Sequence, residues 1–211
     1  MVANAEFMTS MNLRLSRKRR LAYAPNMDEA PEDSALMLRY RDGDVVAFET
    51  LYRRHNDALY RYLLRLCRQP QQAEDVFQEV WSKIIKARDS YRPTAKFTTF
   101  LYRVAHNCFI DNIRRNKRHT RTADVEPDTQ PSAADQPDEQ TERSLARRRL
   151  NAALLELPDE QRDVFLLHEE AGLNLEQIAS ITDSNRETTK SRLRYAVRKL
   201  RIAIDEPAGT S

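Results

Sequence analysis

The chain has 211 residues, 35 of them basic and 32 acidic, enough for one ordinary domain or two small ones. Hydrophobic residues make up 40%, and no apolar run approaches the about 20 residues that span a bilayer, so no membrane insertion of its own is expected. Only three glycines are present (Gly43, Gly172, Gly209), against about 7% in average proteins, so no clustered-glycine loop exists to cradle phosphate.

Other chemistries are equally thin. Cys67 and Cys108 make no disulfide framework and no C-x-x-C zinc motif. Both fit apolar helix faces, where packing explains them better than redox sensing. The four histidines are scattered, and His168-Glu169 begins an H-E-x-x-H pattern that Gly172 breaks. Catalysis, metal and cofactor therefore have no support. Arg17-Lys18-Arg19-Arg20 is followed by an apolar stretch too short for a signal peptide, and the chain reads as cytosolic and reduced.

In chain order, residues 1–30 lack periodicity and read as a disordered basic tail; Met8, Met11 and Met27 are alternative start codons. From Ser34 to Cys67, Phe48, Leu51, Tyr52, Leu59, Tyr62, Leu63 and Leu66 recur at steps of three and four, one buried helical stripe. Asp42-Gly43-Asp44 marks a turn before the long helix, and Pro70 is expected to end it. A second helix carries Ala73, Val76, Phe77, Val80, Ile84 and Ile85 inward. After a break at Ser90 to Pro93, a third runs from about Phe97 to Arg115 with Leu101, Val104, Ala105 and Cys108 on its apolar side. Residues 31–116 should thus form one small helical bundle.

Charge then changes abruptly. Asn112 to Arg121 carries five bases and no acid, and Ala123 to Glu142 carries seven acids, three prolines and no base. Such a run neither holds a helix nor builds a core, so 117–141 reads as a flexible acidic linker. A second all-α domain, 142–204, starts with Leu145, Leu150, Ala153, Leu154 and Leu157 on a helix stopping near Pro158. Val164, Phe165 and Leu167 mark the next, ending near Gly172. Asn174, with Gln177 at the third helical position, caps a short helix to Ile181. Ser184-Asn185-Arg186-Glu187 reads as a full capping box for a basic helix to Arg201. A short helix, a tight turn at Thr182-Asp183 and a basic helix make a helix-turn-helix; residues 205–211 are a tail.

The last helix has two expected faces. Leu193, Val197 and Leu200 pack inward with Ile178 and Ile181. Arg186, Lys190, Arg194 and Arg198 lie outward, with Glu187, Thr188 and Ser191 near the end that enters the major groove in such motifs, where arginine pairs with guanine. A basic solvated helix is the alternative. In the first domain, Arg103, Asn107, Asp111 and Arg114 fall on one helical face, suited to a strand's phosphates and base edges, with Arg115 extending the basic footprint. Tyr91, Phe97 and Phe100 are aromatics that could stack on unpaired bases, worth about 1–3 kcal/mol each; Phe97 fits the core equally well.

These residues also carry a family resemblance. Glu74-Asp75-Val76-Phe77-Gln78-Glu79-Val80-Trp81, then Phe97 to Asn107 (FTTFLYRVAHN) and Asp111 to Arg115 (DNIRR), resemble region 2 of bacterial sigma factors. Leu157 to Arg162 (LPDEQR), Leu175 to Ala179 (LEQIA) and Thr189 to Leu193 (TKSRL) resemble region 4. From about 34 to 203 the chain resembles an extracytoplasmic-function (ECF) sigma factor. The resemblance implies two small helical domains and no enzymatic activity. It implies core RNA polymerase as partner, through the clamp coiled coil of the largest subunit and the flap of the second-largest, together with promoter DNA and often an anti-sigma factor.

By the same resemblance Asp75, Gln78 and Glu79, with Trp81 nearby, bind the clamp; Trp81 also fits the core. The loop Ser90 to Lys96, including Tyr91, Arg92, Thr94 and Lys96, corresponds to the loop that captures a flipped −10 base. Phe100 stands where the family often has Trp, Asp183 where it often has Gly and Asn185 where it often has Pro. Asp adopts the left-handed backbone at some cost. A linker of about 25 residues reaches at most ~85 Å, while one DNA turn is ~34 Å, so both domains fit one promoter. A stand-alone helix-turn-helix regulator is the alternative; it would leave the Asp75–Gln78–Glu79 face and segment 97–115 idle.

Overall fold

A computed structural model describes residues 32–122 and 142–205, and the side chains of 32–116 and 148–204. The expected N-terminal tail, most of the linker and the C-terminal tail lie outside the described residues. Among those described there are eight α-helices, one 3-10 turn and no strand.

Helix α1 (Asp33–Arg41) is tied to α2 (Val45–Leu66) through one carboxylate: Asp33 accepts from Arg54 at 2.9 Å and meets His55 Nε2 at 2.8 Å. Between them Gly43 takes φ 104°, a left-handed turn that glycine adopts without a Cβ penalty. Asp44 then caps α2, accepting from the backbone N–H of Val46 and Ala47. Every residue of the expected α2 stripe is buried.

Helix α2 ends at Leu66, before Pro70. The proline starts the next helix rather than stopping this one: α3 (Pro70–Lys86) carries it in the first turn, where its missing N–H costs nothing. Helix α3 turns Val76, Phe77, Val80, Trp81 and Ile84 inward. Trp81 is 0% exposed and sits edge-on to Phe48 at 5.8 Å and tilted against Tyr52 at 4.8 Å. After a 3-10 turn (Arg88–Ser90), α4 (Phe97–Thr122) runs seven residues past the expected Arg115, through the rest of the basic stretch and into the first residues, 117–122, of the segment read as linker.

In the second domain α5 (Glu142–Glu156) and α6 (Asp159–Glu169) both pack on the last helix (Arg186–Asp205), with Leu154, Leu157, Val164 and Leu167 buried. Asn174 caps α7 (Leu175–Ile181) in the expected reciprocal box with Gln177. Asp183 does adopt the left-handed backbone, at φ 49°. Helix α8 (Arg186–Asp205), however, is capped by Asn185, whose Oδ1 accepts from Thr188 N at 2.7 Å. Ser184 instead bonds Thr182 and Thr189 in a chain of three hydroxyls that stitches the turn to α8. Ala196, not Val197, takes the inward position beside Leu200; Val197 is 36% exposed.

The two domains touch. Helix α2 packs on α6 and α4 on α7, and the buried apolar residues form one continuous cluster. The thiols belong to this core; burial pushes Cys67 up to about 12, so it is not a thiolate at neutral pH.

Candidate polymerase and nucleic-acid interfaces

On α3, Asp75 and Gln78 are exposed, opposite the buried Val76 and Val80. Glu79 is only 28% exposed, and it accepts from Lys83 at 3.0 Å and Arg115 at 2.6 Å. Burial alone would raise its pKa, but these two cations outweigh it and hold the carboxyl below its usual range. Glu79 is thus one link between α3 and α4 as well as part of the acidic face. Trp81 is a correction: its ring is enclosed by α2, so it supports the face from inside and has no surface to offer a partner in this conformation.

The loop before α4 divides by burial. Arg92, Thr94 and Lys96 are exposed. Tyr91 (4%) and Phe97 (1%) are core residues, packed edge-on to one another at 6.5 Å, and are not available for stacking on bases here. This corrects the stacking role expected of Tyr91 and selects the core alternative for Phe97: their ring area is buried inside the bundle rather than left in water. Phe100 is half-buried, tilted against Tyr91 at 5.3 Å, and is the aromatic of the three with a face left toward solvent.

The polar stripe of α4 forms as the spacing requires: Arg103, Asn107, Asp111 and Arg114 are all exposed on one face. Asp111 lies 3.6 Å from Lys83 and 4.0 Å from Arg114. Arg103 donates to Ser180 Oγ at 2.6 Å, across the domain boundary. A cleft of about 900 Å³ runs between this stripe and the second domain, with Asn107, Arg114, Asp163, Asp183 and Arg192 along its walls.

On α8, Arg186, Glu187, Lys190, Arg194 and Arg198 are exposed, and Thr188 and Ser191 half-buried. Glu176 at the start of α7 holds Arg186 Nε at 2.6 Å, and the guanidinium beside it keeps the Glu176 carboxyl below the usual range. Arg192 turns back to Glu160 and is not part of the outward row.

Sequence reasoning missed the contacts between domains. Tyr62 donates to Asp163 Oδ1 at 2.6 Å, and His106 Nδ1 meets Asp163 Oδ2 at 2.6 Å. Arg65 pairs with Glu170, and Gln177 Nε2 donates to Thr99 Oγ1 at 3.1 Å. The partners stand 57 to 105 positions apart, so no local pattern joins them. Among the described residues no cluster of His, Cys, Asp and Glu could hold a metal, and no helix is long and apolar enough to cross a membrane.

The described residues thus present a helical bundle with an acidic face and a polar stripe, followed by a capped helix-turn-helix. Residues 51–119 match the family described as Sigma-70 region 2, and residues 153–201 match Sigma-70, region 4. The chain is 31% identical over 170 residues to the RNA polymerase sigma factor CarQ of Myxococcus xanthus, covering 81% of this chain and 96% of the relative. It is 32% identical over 168 residues to the ECF RNA polymerase sigma factor SigM of Mycobacterium tuberculosis, covering 80% and 82%. The chain belongs to the extracytoplasmic-function sigma factors.

Solved structures agree in fold. The sigma factor RpoE of Bartonella quintana, crystallised with the anti-sigma factor NepR, matches with a TM-score of 0.67 at 24% identity, over 77% of this chain and all of that one. CnrH in complex with the cytosolic domain of CnrY matches at 0.61 and 21% identity, over 82% of this chain and 97% of that one. Both sigma regions are present in order, so the stand-alone regulator is not supported.

Proposed function

We propose that this sigma factor divides its work between three surfaces. Asp75, Gln78 and Glu79 on α3 dock on the clamp coiled coil of the polymerase largest subunit, and the helix-turn-helix domain meets the flap of the second-largest. The N-terminal end of α8 enters the −35 major groove, with Arg186, Glu187 and Lys190 nearest the base edges and Thr188, Ser191, Arg194 and Arg198 toward the backbone. The exposed loop residues Arg92, Thr94 and Lys96, with Phe100 and the Arg103–Asn107–Asp111–Arg114 stripe, hold the −10 strand once it is unpaired; Arg115 adds charge beside them. Catalysis of nucleotide addition stays with the polymerase, and the work is done in the cytoplasm.

The observation carrying this reading is that one face of α4 keeps four polar side chains exposed while its aromatic neighbours are buried or half-buried. A polar stripe on a helix suits backbone positioning, and the half-buried Phe100 beside it leaves one aromatic face for an unpaired base. An anti-sigma factor is a further expected partner, on the strength of the fold shared with a sigma factor crystallised with one.

Transcription in vitro with core polymerase on genomic DNA tests the assignment. Discrete start sites should appear only when the chain is added, sharing one −35/−10 pair. Random initiation, or none, would leave it without a promoter function.

A further inference from the structure

The loop that carries Arg92, Thr94 and Lys96 has little structure of its own. Every residue from Arg92 to Lys96 is exposed. Its bonds are local: Thr94 N donates to the Arg92 carbonyl at 2.9 Å, and the Arg92 guanidinium donates to the Tyr91 carbonyl at 3.0 Å. Neither bond fixes where the tip points. The two ends of segment 88–97 do that, and α1 packs on both the 3-10 turn and α4.

At the leading end the Arg88 guanidinium lies over the Tyr40 ring, 5.5 Å from its centroid. Such a cation is attracted by the electron-rich face of the ring. Tyr40 is itself buried and stacks on Phe48 at 4.5 Å, and Phe48 meets Trp81. An aromatic row through the core therefore ends beneath Arg88. At the trailing end Phe97, the first residue of α4, packs on the His55 ring at 5.4 Å, and His55 is bonded to Asp33. Tyr91 fills the space between the ends, edge-on to Phe97. Asp33 and Tyr40 both belong to α1, about 10 Å apart along its axis, so one helix serves both ends of the loop.

We propose that α1 is the seat of the −10 loop, and that Tyr40, Arg88 and His55 are positioning residues for capture of the unpaired base. The inference rests on the reading of the 92–96 tip as the part that takes that base. A loop that must be ordered on binding loses affinity to its own entropy, and fixing it beforehand removes that loss. Preference for one base over another also requires the polar groups of the tip to be in place when the base arrives. None of the three positioning residues needs to touch DNA for either effect.

The test uses holoenzyme with the single-stranded −10 segment of a mapped promoter, and amide hydrogen exchange over 88–97 in the full chain reads the loop itself. Arg88→Gln removes the cation from a side chain that is 40% exposed, so the bundle stays folded. It should speed exchange, weaken strand binding about two- to fivefold and flatten the preference at the captured base, with −35 duplex binding unchanged. Arg88→Lys returns a cation to the ring and should recover most of each. Tyr40→Leu should reproduce these effects, and adding Arg88→Gln to it should change nothing further, because both remove one contact. At the other end His55→Leu should loosen the loop, whereas His55→Gln still reaches Asp33 and should spare it. Exchange that ignores Arg88→Gln and His55→Leu alike would overturn the seat. Additive losses from Arg88→Gln and Tyr40→Leu, with a shallower salt dependence, would make Arg88 a phosphate contact and overturn its positioning role. Faster exchange with unchanged strand binding would do the same if Arg92→Ala or Lys96→Ala weakens the strand. If those tip substitutions also leave strand binding intact, the −10 reading itself fails and the positioning role falls with it.

Discussion

Replacing Arg186 with alanine separates base reading from phosphate contact at the −35 element. Arg186 is half-exposed and pairs with Glu176, itself 63% exposed. A pair this exposed adds little to the fold, so the variant should melt within a degree or two of wild type. At the groove the same guanidinium, if bidentate to a guanine, contributes about 1–3 kcal/mol of discrimination. That is roughly 5- to 150-fold in affinity, well above the effect on folding. Arg186→Lys refines the result: lysine keeps the charge and loses the fork. A base-reading role predicts that Lys does not rescue and that preference relaxes at one position of the element. A phosphate role predicts rescue by Lys and a salt dependence shallower by about 0.9 in Arg186→Ala. Holoenzyme binding to fluorescent −35 duplexes with single base changes, at two salt concentrations, provides the measurement. Unchanged affinity, unchanged preference and unchanged slope would remove Arg186 from the groove.

Other perturbations address the remaining surfaces. Asp75→Lys with Gln78→Lys should weaken core polymerase binding at least tenfold with the helical circular dichroism signal unchanged, because both side chains are exposed; pull-down with core polymerase reads it. Asn107→Ala should spare −35 binding and reduce opening, seen as weaker permanganate reactivity of −10 thymines on closed templates but not on a pre-melted bubble. Trp81→Ala should cost about 3–5 kcal/mol of stability, measured by urea unfolding, as its burial against Phe48 and Tyr52 requires. The Asp33 carboxyl is held below its usual range chiefly by its bond to His55. Its contribution is therefore present above the ordinary carboxylate value of about 3.9 and is lost as pH falls further. Asp33→Asn should cost about 1–2 kcal/mol at pH 7, and its stability curve should meet that of wild type in acid.

How much of this was legible depends on distance along the chain. The α2 stripe, the Asn174 box and the exposed α4 row follow from spacings of three to four residues, and each appears where the sequence puts it; the left-handed Asp183 followed from the family resemblance instead. The cap of α8 was misread by one residue because Ser184 and Asn185 are both good caps, and only the competing bonds of Ser184 to Thr182 and Thr189 decide between them. The inward position of Ala196 over Val197 depends on which face of α8 meets α5 and α6, a matter of tertiary geometry that no local pattern fixes. Tyr91 and Phe97 flank a polar loop and looked available; the bundle has room for them, and apolar area prevails. Asp163 stood in an ordinary charged helix, with nothing nearby to mark it as a docking point.

The bridge from Glu79 to Lys83 and Arg115, with Gln72 donating to Asn112 at 2.6 Å beside it, has a genetic consequence. It fastens α3 to α4, so if these helices dock on polymerase and hold the −10 strand as proposed, an allele isolated for poor polymerase binding at Glu79 will also carry an opening defect. Arg115→Glu should partly suppress Glu79→Arg in both phenotypes, whereas no change on α4 should suppress Asp75→Lys. Allele specificity in a suppressor screen would therefore map which acidic side chains of α3 face outward alone and which serve two masters.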